Sequence, residues 1–179
     1  MAREKSGFIG ERQDLGPDGL GLVDEVHYRI GLLTDLEDYL ERYGDQTALV
    51  LWPGVQYATG QVFDLERISR VCQRAGVTLG FDLAHAVGNV PLALSDWGCD
   101  FAVWCTYKYL NGGPGSVAGC FVHERHGGAT ELPRLAGWWG NDPSTRFAMH
   151  DQDRFVARPG AAGFRLVHLP TSRSSIRTA

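Results

Sequence analysis

The chain has 179 residues, room for one domain, and is 44% hydrophobic and 21% charged, which is the balance of a globular protein and not of a disordered one. Its net charge of −4, with both signs interspersed, leaves no basic patch and argues against nucleic acid as a partner. The N-terminus has no apolar signal core and no run reaches the length of a membrane span, so a soluble, cytoplasmic protein without a membrane partner is expected.

In chain order, residues 1–20 are polar and glycine-rich, show no periodicity and read as irregular. Thr34-Asp35-Leu36-Glu37 reads as a capping box with Thr34 as N-cap. The helix it starts carries Leu36, Tyr39 and Leu40 on one face and stops at Gly44. Thr47 to Trp52 reads as a strand ended by Pro53-Gly54, and Val55 to Val62 as a loop crossing the top of a sheet. Asp64 caps a second helix, with Leu65, Ile68, Val71, Cys72 and Ala75 at helical spacing and Gly76 closing it. Strands follow over Val77 to Phe81, Phe101 to Cys105 and Val117 to Val122, with a short helix near Leu92 to Asp96. Strands alternating with helices over short links predict an α/β fold with a parallel sheet. Beyond Leu132 the chain turns rich in Trp, Gly, Asn and Arg, and Thr171 to Ala179 reads as an unstructured tail.

Two strand ends carry chemistry. Lys108 follows the apolar run Phe101 to Cys105 and precedes a glycine-rich loop. A lysine buried at such a place tends to lose its proton and become nucleophilic, as a Schiff-base lysine must. Asp82 ends the strand before it, with His85 three residues on. Adjacent parallel strands would bring Asp82 and Lys108 to one carboxyl-terminal edge, where open α/β sheets bind ligands. An amine for the aldehyde and a carboxylate for the pyridinium nitrogen are the two anchors of a pyridoxal phosphate site. Taken singly, the lysine reads as a surface residue and the aspartate as a turn residue; their pairing changes that.

Other motifs carry less. Gly112, Gly113, Gly115 and Gly119 fit neither a dinucleotide fingerprint nor a P-loop. His123-Glu124-Arg125-His126 has one residue too few for a zinc-protease motif and reads as a solvated loop. Asp82 and His85 have no visible third metal ligand, so no metal is expected. Cys72, Cys99, Cys105 and Cys120 form no CxxC pair and read as reduced core thiols. Trp138-Trp139 between glycines leans towards a ligand wall.

Several stretches together resemble kynureninase. They are Phe81-Asp82-Leu83-Ala84-His85-Ala86-Val87-Gly88-Asn89, Asp96-Trp97-Gly98 with Asp100-Phe101, Tyr107-Lys108-Tyr109-Leu110-Asn111 and Gly137-Trp138-Trp139-Gly140. Gly54-Val55-Gln56, Thr59-Gly60-Gln61 and Gly163-Phe164-Arg165 add to the likeness, which runs from about Leu32 to Leu166. A more general likeness to class V aminotransferases and cysteine desulfurases covers the fold and the Asp/Lys pair. The resemblance implies the large domain of a fold-type-I pyridoxal phosphate enzyme, a mainly parallel sheet with flanking helices, in a homodimer. It implies hydrolysis of L-kynurenine to anthranilate and L-alanine, and of 3-hydroxykynurenine to 3-hydroxyanthranilate, in tryptophan catabolism and NAD biosynthesis. By the same resemblance Lys108 holds pyridoxal 5'-phosphate as a Schiff base and Asp82 faces the pyridine nitrogen. His85 is the neighbouring cofactor-site histidine, Tyr107 contacts the phosphate and takes part in proton transfer, and Trp138 belongs to the cofactor–substrate pocket.

The sequence also departs from the family. The segment that carries the phosphate loop and a ring-stacking aromatic, and the small C-terminal domain with its carboxylate-binding arginine, have no counterpart here. Pro53 stands where a serine is frequent and Asn141 where a histidine is; after Leu166 the chain reads Val167-His168-Leu169-Pro170 and then a polar tail. The expected organisation is an irregular segment 1–20, a partial cofactor-binding large domain 21–166, truncated at both ends, and a divergent tail 167–179. The rival expectation is a non-catalytic kynureninase-like chain that pairs with a full-length subunit.

Overall fold

The computed structural model describes residues 8–11, 26–27, 33–129, 131–135 and 137–165. The tail 167–179 lies outside the described residues, as does most of 1–20. The chain divides into two units after His126, where the sequence suggests one block from 21 to 166.

The first unit is a six-stranded sheet in the order β2-β1-β3-β4-β5-β6. Its strands are β1 (Phe8–Glu11), β2 (Val26–His27), β3 (Thr47–Pro53), β4 (Thr78–Asp82), β5 (Phe101–Trp104) and β6 (Gly119–Val122), and its helices are α1 (Leu33–Tyr43), α2 (Leu65–Ala75) and α3 (Leu94–Trp97). The α/β class is as expected, and β3, β4 and β5 are parallel neighbours. The sheet as a whole is mixed, because β1 and β6 run antiparallel to β3 and β5. The link from β5 to β6 contains no helix to carry the chain back across the sheet, so β6 returns antiparallel. Strand β1 lies in the stretch read as irregular: four residues are too few to show a period, and pairing with β3 supplies the ladder.

One face of the sheet forms the core. Val50 and Trp52 of β3, Leu79 and Phe81 of β4 and Ala102 of β5 pack with Leu36, Tyr39 and Leu40 of α1 and Leu65, Ile68, Val71 and Cys72 of α2. Alternation turns Leu49, Leu51, Phe101 and Val103 to the opposite face, where they are half-buried or, for Val103, exposed. A Cβ at Gly80 would overlap the Phe101 ring, and one at Gly119 the Trp104 indole, so each glycine makes room for an aromatic on the next strand.

Helix α2 has the predicted caps: Asp64 Oδ1 accepts from Arg67 N–H at 3.0 Å, and Gly76 closes it with φ 67°. Helix α1 corrects the sequence reading. It begins at Leu33, so Thr34 lies inside its first turn. Glu37 does not close a capping box; a bidentate pair with Arg67, at 3.1 and 2.9 Å, takes its carboxylate instead.

Asp100 ties the amino-terminal end of the sheet. Its Oδ2 accepts from Leu79 N–H at 2.8 Å, while Oδ1 takes Arg125 Nη2 and His126 Nε2, both at 2.6 Å. The stretch read as a solvated loop holds instead a 3-10 turn, Glu124–His126, which delivers a guanidinium and an imidazole to this carboxylate. Burial alone would raise the Asp100 carboxyl; the bonds from Leu79, Arg125 and His126 outweigh it and hold the group below the usual aspartate range.

In the second unit, Asn141 and Ala157 form an antiparallel bridge, with 3-10 turns over Arg146–Asp151 and Gly160–Phe164. A Cβ at Gly140 would meet the carbonyls of Gly163 and Arg165, so the Gly-Trp-Trp-Gly turn packs directly on the Gly-Phe-Arg segment. Among the described residues no helix is long and apolar enough to cross a membrane.

Replacing Asp100 by Asn should lower the unfolding free energy at neutral pH by about 1.5–3 kcal/mol, the scale of hydrogen bonds to a charged group. The folded carboxyl titrates below its unfolded value of about 3.9, so the stabilisation is complete above that pH and is lost as pH falls through the folded value. Urea titrations should show the gap between wild type and variant narrowing in acid; a gap that widens would contradict the assignment. Burial, then the nearby Asp100 charge, pushes the Cys72 and Cys99 thiols up to about 12. Alkylation at pH 8 should therefore mark the exposed Cys120 and spare Cys72 and Cys99 until denaturant is added, as read by peptide mass spectrometry.

Candidate active site

The parallel register sets the geometry. Asp82 is the last residue of β4, paired with Pro53 on one side and Val103 on the other. Leu83 N–H then donates to Val103 O at 2.8 Å, and Ala86 and Val87 donate to Leu83 O at 2.9 and 3.0 Å. This turn fixes His85 beside the strand end. Gly88 completes it at φ 80°, where a Cβ would lie 3.1 Å from Tyr109 O, so the turn rests on the chain that follows Lys108.

Lys108 sits four residues beyond β5 in a loop folded on itself. Gly112 N–H donates to Thr106 O at 2.8 Å and Asn111 N–H to Lys108 O at 3.1 Å. The Thr106 hydroxyl lies 2.5 Å from Val117 O and 2.8 Å from Ser116 Oγ. Its single proton goes to the carbonyl, so it accepts from Ser116. Lys108 is half-buried, less enclosed than a core-strand exit suggests.

Lys108 Nζ and His85 Nε2 are 2.9 Å apart. An ammonium only donates, so with Lys108 charged Nε2 accepts and the imidazole proton sits on Nδ1. The His85 ring meets Tyr109 edge-on at 6.1 Å between centroids. Asp82 Oδ1 accepts from Ala84 N–H at 2.9 Å, so the turn role read for an aspartate at a strand end is present along with its place at the cleft. Asp82, His85 and Lys108 together line a cleft of about 350 Å³, whose other walls are Pro53, Val55, Gln56, Tyr57 and Ala84. A few converging polar groups in a small, partly apolar concavity is the form of a small-molecule site.

The other two candidates stand differently. Tyr107 adjoins Lys108, with Nζ 5.8 Å from its ring centroid, and is 54% exposed. Trp138 belongs to the second unit, where it is 56% exposed and packs edge-on against Phe147; Trp139 lies under the Arg146 guanidinium at 4.4 Å. The sequence reading gave no role to Gln56 or Tyr57. Their signal was present in the position of their loop, directly after the strand neighbouring β4.

The class-V aminotransferase family profile matches residues 19–126. The chain is similar to the kynureninase of Xanthomonas oryzae pv. oryzae strain PXO99A, 58% identical over 135 residues, which is 75% of this chain and 31% of the relative. It is 56% identical over 147 residues to the kynureninase of Stenotrophomonas maltophilia strain K279a, covering 82% of this chain and 34% of that one. The chain thus spans about a third of the length of the curated relatives it matches. Among solved structures, the apo cysteine desulfurase of Thermococcus onnurineus NA1 superposes with a TM-score of 0.57 at 19% identity, over 75% of this chain and 31% of that one. The cysteine desulfurase CsdA of Escherichia coli does so with 0.58 at 17% identity, over 75% and 32%. At these identities the structures speak for the fold, and the profile speaks for descent: the chain belongs to the class-V aminotransferase family.

Proposed function

We propose that this chain supplies the cofactor-anchoring part of a kynureninase-type hydrolase, which cleaves L-kynurenine to anthranilate and L-alanine with pyridoxal 5'-phosphate. One observation carries the reading: an amine and a carboxylate, Lys108 and Asp82, face one small cleft from the ends of adjacent parallel strands. The similarity to kynureninases supports the choice of substrate, and 3-hydroxykynurenine, a role in tryptophan catabolism and NAD biosynthesis, a cytoplasmic location and a homodimer belong to the same proposal.

The residues present fit the cofactor. Lys108 offers a primary amine to an aldehyde, Asp82 a carboxylate to a ring nitrogen, and Pro53, Val55 and Ala84 supply compact walls for a flat ring. When bound, pyridoxal phosphate contributes an electrophilic carbon for amines and a ring that takes up electrons as bonds at the amino-acid carbon break. The chain's share is placement and proton handling. Asp82 holds a proton on the ring nitrogen by its negative charge. His85 Nε2, 2.9 Å from Nζ, aims the amine by accepting its hydrogen bond. Lys108 would act as general base at the substrate α-carbon, and Tyr107, whose ring centroid lies 5.8 Å from Nζ, would take part in returning a proton to the alanine fragment. Trp138 is assigned to the cofactor in this proposal on the resemblance of Gly137-Trp138-Trp139-Gly140 alone.

Added pyridoxal phosphate should give the purified chain a visible absorbance band that Lys108→Ala lacks. Equal spectra for the two would refute the assignment. Anthranilate release from kynurenine, followed by fluorescence, should vanish in Lys108→Ala and fall about 10²-fold or more in Asp82→Asn, the scale for losing one preorganised electrostatic partner.

A further inference from the structure

Tyr57 is, with Gln56, one of two cleft residues that the reading above leaves unused. It is 78% exposed, the largest exposure among the chain's big hydrophobic side chains described. Single exposed aromatics are ordinary on protein surfaces; two features set this one apart. It lines the same cleft as Asp82, His85 and Lys108, and the loop that presents it is fastened on every side.

The fastening is built from Gln56, which is 5% exposed. Its Oε1 accepts from Ala58 N–H at 2.5 Å, Thr59 N–H at 2.8 Å and the Thr59 hydroxyl at 3.3 Å. Gln56 N–H donates to Gln61 O, and Gly60 N–H to Gln56 O, each at 2.8 Å. Val55 and Val62 bridge below, and Gly60 takes φ 73°. These bonds tie down the residues on both sides of Tyr57, which itself lines the cleft. A ring held in advance in a binding geometry loses little freedom when a ligand arrives.

We propose that Tyr57 is a ligand-contacting residue whose ring packs on a flat aromatic ring seated above Lys108. The inference rests on the reading above. The shared chemistry is a planar six-membered ring, from either the cofactor or the aryl end of the substrate. Among the lining residues, Pro53, Val55 and Ala84 offer such a ring apolar contact and Tyr57 is the aromatic one.

Titrations with two probes, pyridoxal phosphate and anthranilate, the latter with and without the cofactor, on wild type, Tyr57→Phe, Tyr57→Leu and Lys108→Ala test it. Tyr57→Leu should bind at least one probe about threefold to tenfold more weakly, the range of an aromatic pair, with Tyr57→Phe like wild type and melting temperatures equal. Loss on pyridoxal phosphate assigns the contact to the cofactor ring; loss on anthranilate alone assigns it to the aryl end. If the Lys108-dependent band forms and Tyr57→Leu binds both probes as wild type does, this inference falls and the functional reading stands. If Tyr57→Phe is as weak as Tyr57→Leu, the hydroxyl and not the ring makes the contact, and the inference is again overturned. Tyr57-dependent binding without any Lys108-dependent band would support the contact and refute the reading, and no binding of either probe at millimolar concentration would refute both.

Discussion

The parallel pairing of β3, β4 and β5 is the constraint on which the rest depends. Parallel neighbours end on the same side, so whatever follows each strand emerges along one edge. The register brings Pro53, Asp82 and Val103 level with one another. The loops that leave those positions carry Gln56 and Tyr57, His85, and Lys108. Had β5 run antiparallel to β4, the lysine would emerge at the far end, more than a strand length from the aspartate.

The two ends of the sheet divide the work. At the amino-terminal end, Asp100 joins the Leu79 amide, Arg125 and His126 in one closed set of bonds. Its charge is largely spent on neighbours, which suits a structural group. At the carboxyl-terminal end, Asp82 and Lys108 are each held by backbone turns and keep their functional atoms at the cleft. The buried thiols Cys72 and Cys99 lie near Asp100, and the Lys108 amine at the cleft.

What was legible in the sequence follows from range. The α2 helix was, because its cap at Asp64, its apolar spacing and its closing Gly76 are all local signals. The meeting of Asp82 and Lys108 was, because two strands and one crossover leave few ways to pair them. The capping box at Thr34 misled, since the competitor for Glu37 is Arg67, thirty residues away. The role of His126 was hidden for the same reason: its partner Asp100 is 26 residues earlier. Strand β1 owes its form to pairing rather than to pattern, and the direction of β6 follows from a missing helix rather than from any residue within it. Tyr57 was passed over because exposure of an aromatic is visible only once the chain is folded.

Gly80 and Phe101 face each other across β4 and β5, and the ring occupies the space where a side chain on residue 80 would begin. The two positions therefore share a single volume. A larger residue at one is tolerable only with a smaller one at the other, so in any redesign, or in any natural drift of this chain, they are one variable and not two. Because Asp82 lies two residues beyond Gly80 on the same strand, a swap that wedges β4 from β5 would be felt first as a misplaced carboxylate, with the core on the opposite face still intact.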